Sequence, residues 1–294
     1  MFLQLLVNGL VTGSVIAIAA VGVSIVYGIL RLVNFAYGDF MAFGALAAYA
    51  FNGPLGIPLV PAALLAMVLT AALSLVLDIV LWRPLRARRA GFMSLFLASI
   101  GLALVLRQAL LLGYGPQPQQ YRVNPYKVYV VGSVRLSEAQ FVSIIAAAVM
   151  IVAVGLFLAR TTLGRTMRAL ADDRELAAIA GVNVGRVIAF TWILSGLLAA
   201  VAGVLAGLVQ TTFDPNFGFT LLLPIFAAVV LGGIGSAYGA LAGGLLLGIA
   251  MELSTWPSFF GGVNPVYKPV VAFSLLAAAL MVRPQGLFGR ARVV

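Results

Sequence analysis

Apolar runs of about twenty residues, broken by short polar stretches, occupy nearly the whole chain. The first extends from Leu3 to Leu30 without a charge and stops at Arg31. Others cover about Pro58 to Trp82, Phe92 to Gly113, Ala139 to Ala159, Val187 to Val209, Gly235 to Leu253 and Val266 to Val282. A helix rises ~1.5 Å per residue, so about 20 residues cross the ~30 Å hydrocarbon layer. Two further runs, Phe40 to Phe51 and Thr220 to Leu231, hold only about 12 residues, too few to cross alone. They predict broken or re-entrant segments of the kind that line solute routes. The pattern is that of an all-α polytopic membrane protein with eight or nine membrane segments in one transmembrane domain, residues 1–294. An outer-membrane barrel would instead alternate apolar and polar residues in short strands.

The breaks carry their own signals. Asn34-Phe35-Ala36-Tyr37-Gly38-Asp39 separates the first two runs, Asn52-Gly53-Pro54 turns the chain, and Gly232-Gly233-Ile234-Gly235-Ser236 follows the second short run. Asn34, Tyr37, Asp39 and the Gly232, Gly233, Gly235 turn are therefore the candidates for a translocation path. Ala36-Tyr37-Gly38 recurs as Ala237-Tyr238-Gly239; the segments that follow lie six crossings apart, so a repeat built on them is parallel, and coincidence in an Ala/Gly-rich chain explains it as well. Small residues recur at four-residue spacing at Gly9 and Gly13, at Ser195, Ala199, Gly203 and Gly207, and at Gly235, Gly239 and Gly243. Such stripes let helix backbones approach, within the chain or in a second subunit. Tyr126 to Val130 alternates as a short strand or hairpin arm does.

Of 18 basic and 8 acidic side chains, eight fall between residues 160 and 186. From Leu163 to Ala180 no proline intervenes, which predicts one helix of about 27 Å, stopped by Gly181. Met167, Leu170, Ala171, Ala177 and Ala178 fall near one side, and Arg165, Arg168, Asp172 and Glu175 on another. Such a helix lies along a membrane surface or in a groove of a partner.

Composition sharpens this picture. Hydrophobic residues make up 63% and charged residues 9%, against about 25% charged in soluble domains. Cysteine and histidine are both absent, which removes disulfides, thiol nucleophiles, histidine acid–base chemistry and Cys or His metal sites. No catalytic constellation, metal site or cofactor motif is present: the glycines at 232–239 fit neither the dinucleotide fingerprint nor the P-loop. The net charge of +10 does not indicate nucleic acid, because most of the basic residues sit in short loops between spans. Placing the charged loop inside puts thirteen basic residues on the cytoplasmic side and four outside (Arg122, Lys127, Arg135, Lys268). The N-terminus is then out and the C-terminus in.

Charges within the runs are few. Arg107 lies inside a span and requires a partner helix, a carbonyl, a water path or an interface within reach. Asp78 lies one turn from the basic loop at 83–89, where an arginine is available. Asp39 and Glu252 complete the set, and a stand-alone ion-coupled carrier or channel would have to use these acids.

Taken together, several stretches resemble one family. Gly13-Ser14 through Tyr27-Gly28 with Asn34 to Asp39, the loop Thr162-Leu163-Gly164-Arg165 with Arg168-Ala169, Asp173-Arg174-Glu175 and Ala178 to Asn183, then Leu231 to Ser236 and Arg283 to Gly289, are similar to LivH-type permeases of branched-chain amino acid ABC transporters. The resemblance runs nearly end to end. It implies a non-enzymatic permease subunit in the bacterial cytoplasmic (inner) membrane, with a second homologous permease, two ATP-binding subunits and an extracytoplasmic solute-binding protein as partners. It makes the charged loop an ATPase-coupling element that uses Gly164, Arg165, Arg168, Asp172, Glu175 and Gly181. Tyr37 stands where the family more often has histidine, which argues against a titrating role there. The solute stays open among branched-chain amino acids, amides and urea.

Overall fold

The computed structural model describes residues 2–123, 128–131, 134–257, 262–283 and 285–288. Helix α1 (Phe2–Leu30) is followed by α2 (Tyr37–Asn52), α3 (Leu59–Leu77), a π-helical turn (Asp78–Trp82) and α4 (Arg83–Ala87). Then come α5 (Phe92–Tyr114), a hairpin of β1 (Val128–Val131) with β2 (Val134–Ser137), and α6 (Glu138–Arg160). The charged loop forms α7 (Thr162–Asp172) and α8 (Arg174–Ile179), and the chain closes with α9 (Val184–Gln210), α10 (Phe217–Gly232), α11 (Ala237–Leu253) and α12 (Lys268–Val282). Among the described residues the hairpin is the only sheet; Tyr126 and Lys127 of the expected strand lie outside them.

Boundaries follow the local chemistry. Ser137 and Gln140 form a capping box that starts α6, with bonds of 3.1 and 3.2 Å, satisfying donors that the first helical turn leaves open. Asn183 starts α9 and Ser236 starts α11 by accepting from Arg186 N and Gly239 N. The widened turn at Asp78–Trp82 lies just before Pro84, whose ring crowds the preceding carbonyls and which has no N–H to donate.

Among the described residues six helices are long and apolar enough to cross a membrane, and α10 and α11 are shorter apolar helices. α1 and α9 form the buried centre, whereas α3, α5, α6 and α12 turn most of their apolar side chains outward, as with Leu112, Val149 and Met281. A surface so apolar belongs in lipid. Within the bundle, association rests on backbone approach rather than on a water-driven hydrophobic effect. Gly9 and Gly13 of α1 lie against Ile249 and Leu245 of α11, and Gly203 of α9 lies against the Met41 backbone. The small-residue stripes are thus used inside this chain. Ser74 Oγ donates to Trp192 O at 2.7 Å, and the Trp82 and Trp192 rings stack at 5.8 Å beside it.

The helices pair in a repeating way. α1 packs on α9, α10 and α11; α9 packs on α1, α2 and α3; α2 meets α3, and α10 meets α11. Exchanging α1, α2 and α3 for α9, α10 and α11 reproduces this list. Tyr37 and Phe217, and likewise Asn52 and Gly232, stand 180 positions apart and bound the two short helices. The residue following each long helix, Arg31 (φ 52°) and Thr211 (φ 63°), has a positive φ. The repeated Ala-Tyr-Gly tripeptides do not take part: Tyr37 is fully buried, while Tyr238 is 56% exposed.

Candidate functional site

The charged loop departs from the single helix expected of it. Asp173 is extended (φ −147°, ψ 114°), so α7 and α8 are separate. Its carboxylate accepts from Glu175 N and Leu176 N, both at 2.9 Å. An aspartate two residues before good helix formers caps a new helix more readily than it extends an old one. Ala178, expected on the apolar side, is exposed, whereas Met167, Leu170 and Ala177 are buried. Arg165, Arg168, Asp172 and Glu175 all lie on the exposed side, next to Leu176 and Ile179, which are 65% and 85% exposed. Gly181 (φ +85°) ends α8, with Val182 N donating to Ala177 O at 3.0 Å, a left-handed stop suited to glycine.

This module is fastened to the bundle. Thr161 caps α7 through Gly164 N at 2.9 Å, and a methyl group at Gly164 would run into the backbone of Phe157 and Leu158 at the end of α6. α7 also packs on α1 and α9, and Arg31 Nη2 donates to Ala171 O at 3.4 Å. A push on the charged face therefore reaches three spans at once.

A second group lies where α2, α5 and α10 meet. Gly38 and Gly218 touch backbone to backbone in the first turns of the two short helices. One residue further, the Asp39 carboxylate accepts from Arg107 Nε at 3.1 Å and from Nη2 at 3.4 Å. The Arg107 guanidinium also lies 4.2 Å from the centroid of the Phe219 ring, a cation–π contact. Arg107 therefore does not reach for an interface; a charged partner holds it within the bundle. Asn34 and Tyr37 stand beside this junction in sequence and are buried. Asn34 Oδ1 accepts from Ala36 N at 3.1 Å, which shapes the break, while Asn34 Nδ2 and the Tyr37 hydroxyl have no hydrogen-bond partner.

The Gly232–Gly235 turn lies elsewhere, at the far end of α10. Leu287 N and Phe288 N donate to Leu231 O and Gly232 O at 2.8 and 3.1 Å, and Gly286 lies against Gly233. Gly235 approaches Gly28 of α1. The path candidates therefore form two separate places, one at the Asp39 junction and one clasped by the closing segment. Arg107 and Phe219 were missing from the candidates; an intramembrane arginine and an intramembrane aspartate in so uncharged a chain were the available signal. The two other deep acids are paired as well, Asp78 with Arg86 and Glu252 with Lys268, both at 2.6 Å. No group of three or more Asp or Glu side chains that could hold a metal occurs among the described residues.

A family model described as branched-chain amino acid transport system, permease component, matches residues 5–282. The chain belongs to this family. The permease is 35% identical over 99% of its length to the high-affinity branched-chain amino acid transport system permease protein BraD of Pseudomonas aeruginosa, covering 97% of that protein. It is 34% identical, over the same shares, to LivH of Escherichia coli K12. Among solved structures it resembles PsaBC from Streptococcus pneumoniae in complex with Fab, with a TM-score of 0.52 and 16% identity over 98% of this chain and 94% of that one, a likeness of fold alone. The permease is thus a multi-pass membrane component of a branched-chain amino acid ABC transport system and not itself an enzyme.

Proposed function

We propose that the permease pairs with a second, homologous permease subunit in a bacterial inner membrane, N-terminus out, and that two ATP-hydrolysing subunits dock below the pair. An extracytoplasmic binding protein delivers a branched-chain or related aliphatic amino acid from the other side. α7 and α8 form the coupling element: Arg165, Arg168, Asp172 and Glu175 meet one ATPase subunit, Gly164 joins the element to α6, and Gly181 ends it. The observation that carries this reading is the fastening of one exposed charged face to α1, α6 and α9 together. ATP-driven closure of the ATPases moves α7 and α8 as a body, and the attached spans open or close the route past the junction of α2, α5 and α10.

A stand-alone ion-coupled carrier needs an acid free to change its charge. Asp39, Asp78 and Glu252 each hold a basic partner instead. The test is gentle extraction of the tagged permease from its native membrane. ATPases with P-loops and a second polytopic subunit should co-purify; a permease recovered alone, with uptake that follows an ion gradient without ATP, overturns the reading. In the assembled transporter, Gly181→Trp should leave ATP hydrolysis uncoupled from uptake.

A further inference from the structure

Three ion pairs among the described residues differ in what they join. Asp78 and Arg86 lie eight positions apart on one continuous helical stretch. Glu252 at the end of α11 meets Lys268 at the start of α12 and accepts a bond from Thr12. Asp39 and Arg107 link α2 to α5 across 68 positions and away from the helix ends that meet in the other pair: Arg107 stands seven residues, about 10 Å, before the end of α5. The aspartate side chain is 1% exposed and the arginine 14%. Bidentate arginine–carboxylate pairs commonly close to about 2.7–2.9 Å, whereas this one stands at 3.1 and 3.4 Å. Over the guanidinium lies Phe219, itself 49% exposed, so the ring that covers the arginine is not packed in the core.

α5 is held loosely. Its principal neighbour is α2, and beyond the ion pair its ring contacts with α2 and the preceding break are Tyr114 with Tyr49 and Phe96 with Phe35. Pulling α5 away from α2 leaves a carboxylate and a guanidinium unpaired in an apolar layer, an arrangement that is strongly disfavoured. A zwitterion removes the penalty, since its carboxylate replaces Asp39 on Arg107 and its ammonium replaces Arg107 on Asp39. The Phe219 ring beside the guanidinium then offers an apolar surface for an aliphatic side chain.

We propose that the Asp39–Arg107 pair is a latch between α5 and the crossing of α2 and α10, opened by exchanging its two charges with those of a zwitterionic amino acid. This rests on the importer reading above, and it adds that the permease itself discriminates for a solute carrying both charges. A neutral solute of the same shape leaves both halves of the latch unpaired and so does not open it.

The chain contains no cysteine, so a pair placed at Tyr49→Cys and Tyr114→Cys has no competing thiol within this subunit and leaves the latch intact. In the complete purified transporter, millimolar leucine should slow closure of that disulfide at least threefold, whereas leucinol, which has the ammonium but no carboxylate, should not. Equal slowing by both overturns the zwitterion exchange. In proteoliposomes with the binding protein, the closed disulfide should reduce leucine uptake more than tenfold, with recovery on reduction; uptake at the unlocked rate overturns the latch. The neutral double variant Asp39→Asn/Arg107→Gln has no unpaired charge, and its ATP hydrolysis without solute should rise as its uptake falls more than tenfold. Wild-type uptake by that variant also overturns the latch. Failure of the importer reading differs from all of these, because the unmodified protein then shows no ATP-dependent uptake.

Discussion

Gly164→Ala and Gly181→Ala make the same chemical change on the same loop, and the geometry gives them different consequences. The added Cβ at Gly164 lies 2.6 Å from both Cα and O of Leu158. Those are main-chain atoms of the last turn of α6, so relief requires α7 to move away from α6. Overpacking of this kind costs about 1–3 kcal/mol. At Gly181 nothing lies within 4 Å, and the cost is the left-handed backbone at φ +85°, about 1–2 kcal/mol, confined to an exposed turn. The two variants should therefore lose similar stability in thermal unfolding of the purified permease. Only Gly164→Ala sets that energy against the α6–α7 joint, where about 1–3 kcal/mol shifts a docked-to-undocked ratio by roughly 5–150-fold. The assay is solute imported per ATP hydrolysed in proteoliposomes. Gly164→Ala should lower this ratio severalfold while Gly181→Ala stays near wild type. Equal ratios for the two variants would refute the claim that coupling runs through the α6–α7 joint.

Other tests address neighbouring features. Gly38→Ala places a methyl group against the Gly218 carbonyl and should destabilise the permease by about 1–3 kcal/mol, read as a lowered unfolding temperature; a neutral result denies the backbone crossing. Asp173→Ala removes both bonds that start α8 and should cost about 1 kcal/mol, read as faster amide exchange at Glu175 and Leu176. Tyr121 Oη donates to Ala45 O at 3.1 Å in the loop before the hairpin, so Tyr121→Phe should cost about 1 kcal/mol. Burial pushes the Tyr121 phenol above its ordinary value. Its contribution is therefore complete below the unfolded phenol's range near pH 10 and declines as pH rises beyond it; the alkaline fall in stability should be shallower in Tyr121→Phe.

Hydropathy made the long spans legible almost to the residue, because the length of a span is imposed by the bilayer and not by its neighbours. The loop between α6 and α9 was legible in chemistry but not in shape. Its charges and Gly181 were plain, yet Asp173 reads as either an exposed helical residue or a cap, and only the docking of Met167, Leu170 and Ala177 beneath α1, α6 and α9 decides between them. Arg107 was recognisable as needing a partner, and Asp39 as worth attention. Their pairing was hidden because 68 positions separate them and no local periodicity spans that distance.

The repeat was hidden for a related reason, and it explains the junction. Between the two breaks almost no side chain is shared. What is shared is backbone: a positive-φ residue after each long helix, short helices of 16 residues, and glycine at 38 and 218, each needed because the other's main chain occupies the space its side chain would fill. Repeated side chains such as Ala-Tyr-Gly misled because identity is cheap in an Ala/Gly-rich chain, whereas a conserved path of the main chain is not. The offset of 180 positions also makes Asp39 the counterpart of Phe219. These two equivalent residues, one from each short helix, hold the same guanidinium, one by charge and one by its ring face. The crossing is thus symmetric in its main chain and asymmetric at this residue pair, and α5 supplies the cation that both side chains contact. In the proposed exchange, the ammonium of the solute takes the Asp39 carboxylate on one helix and its aliphatic side chain lies against the Phe219 ring on the other.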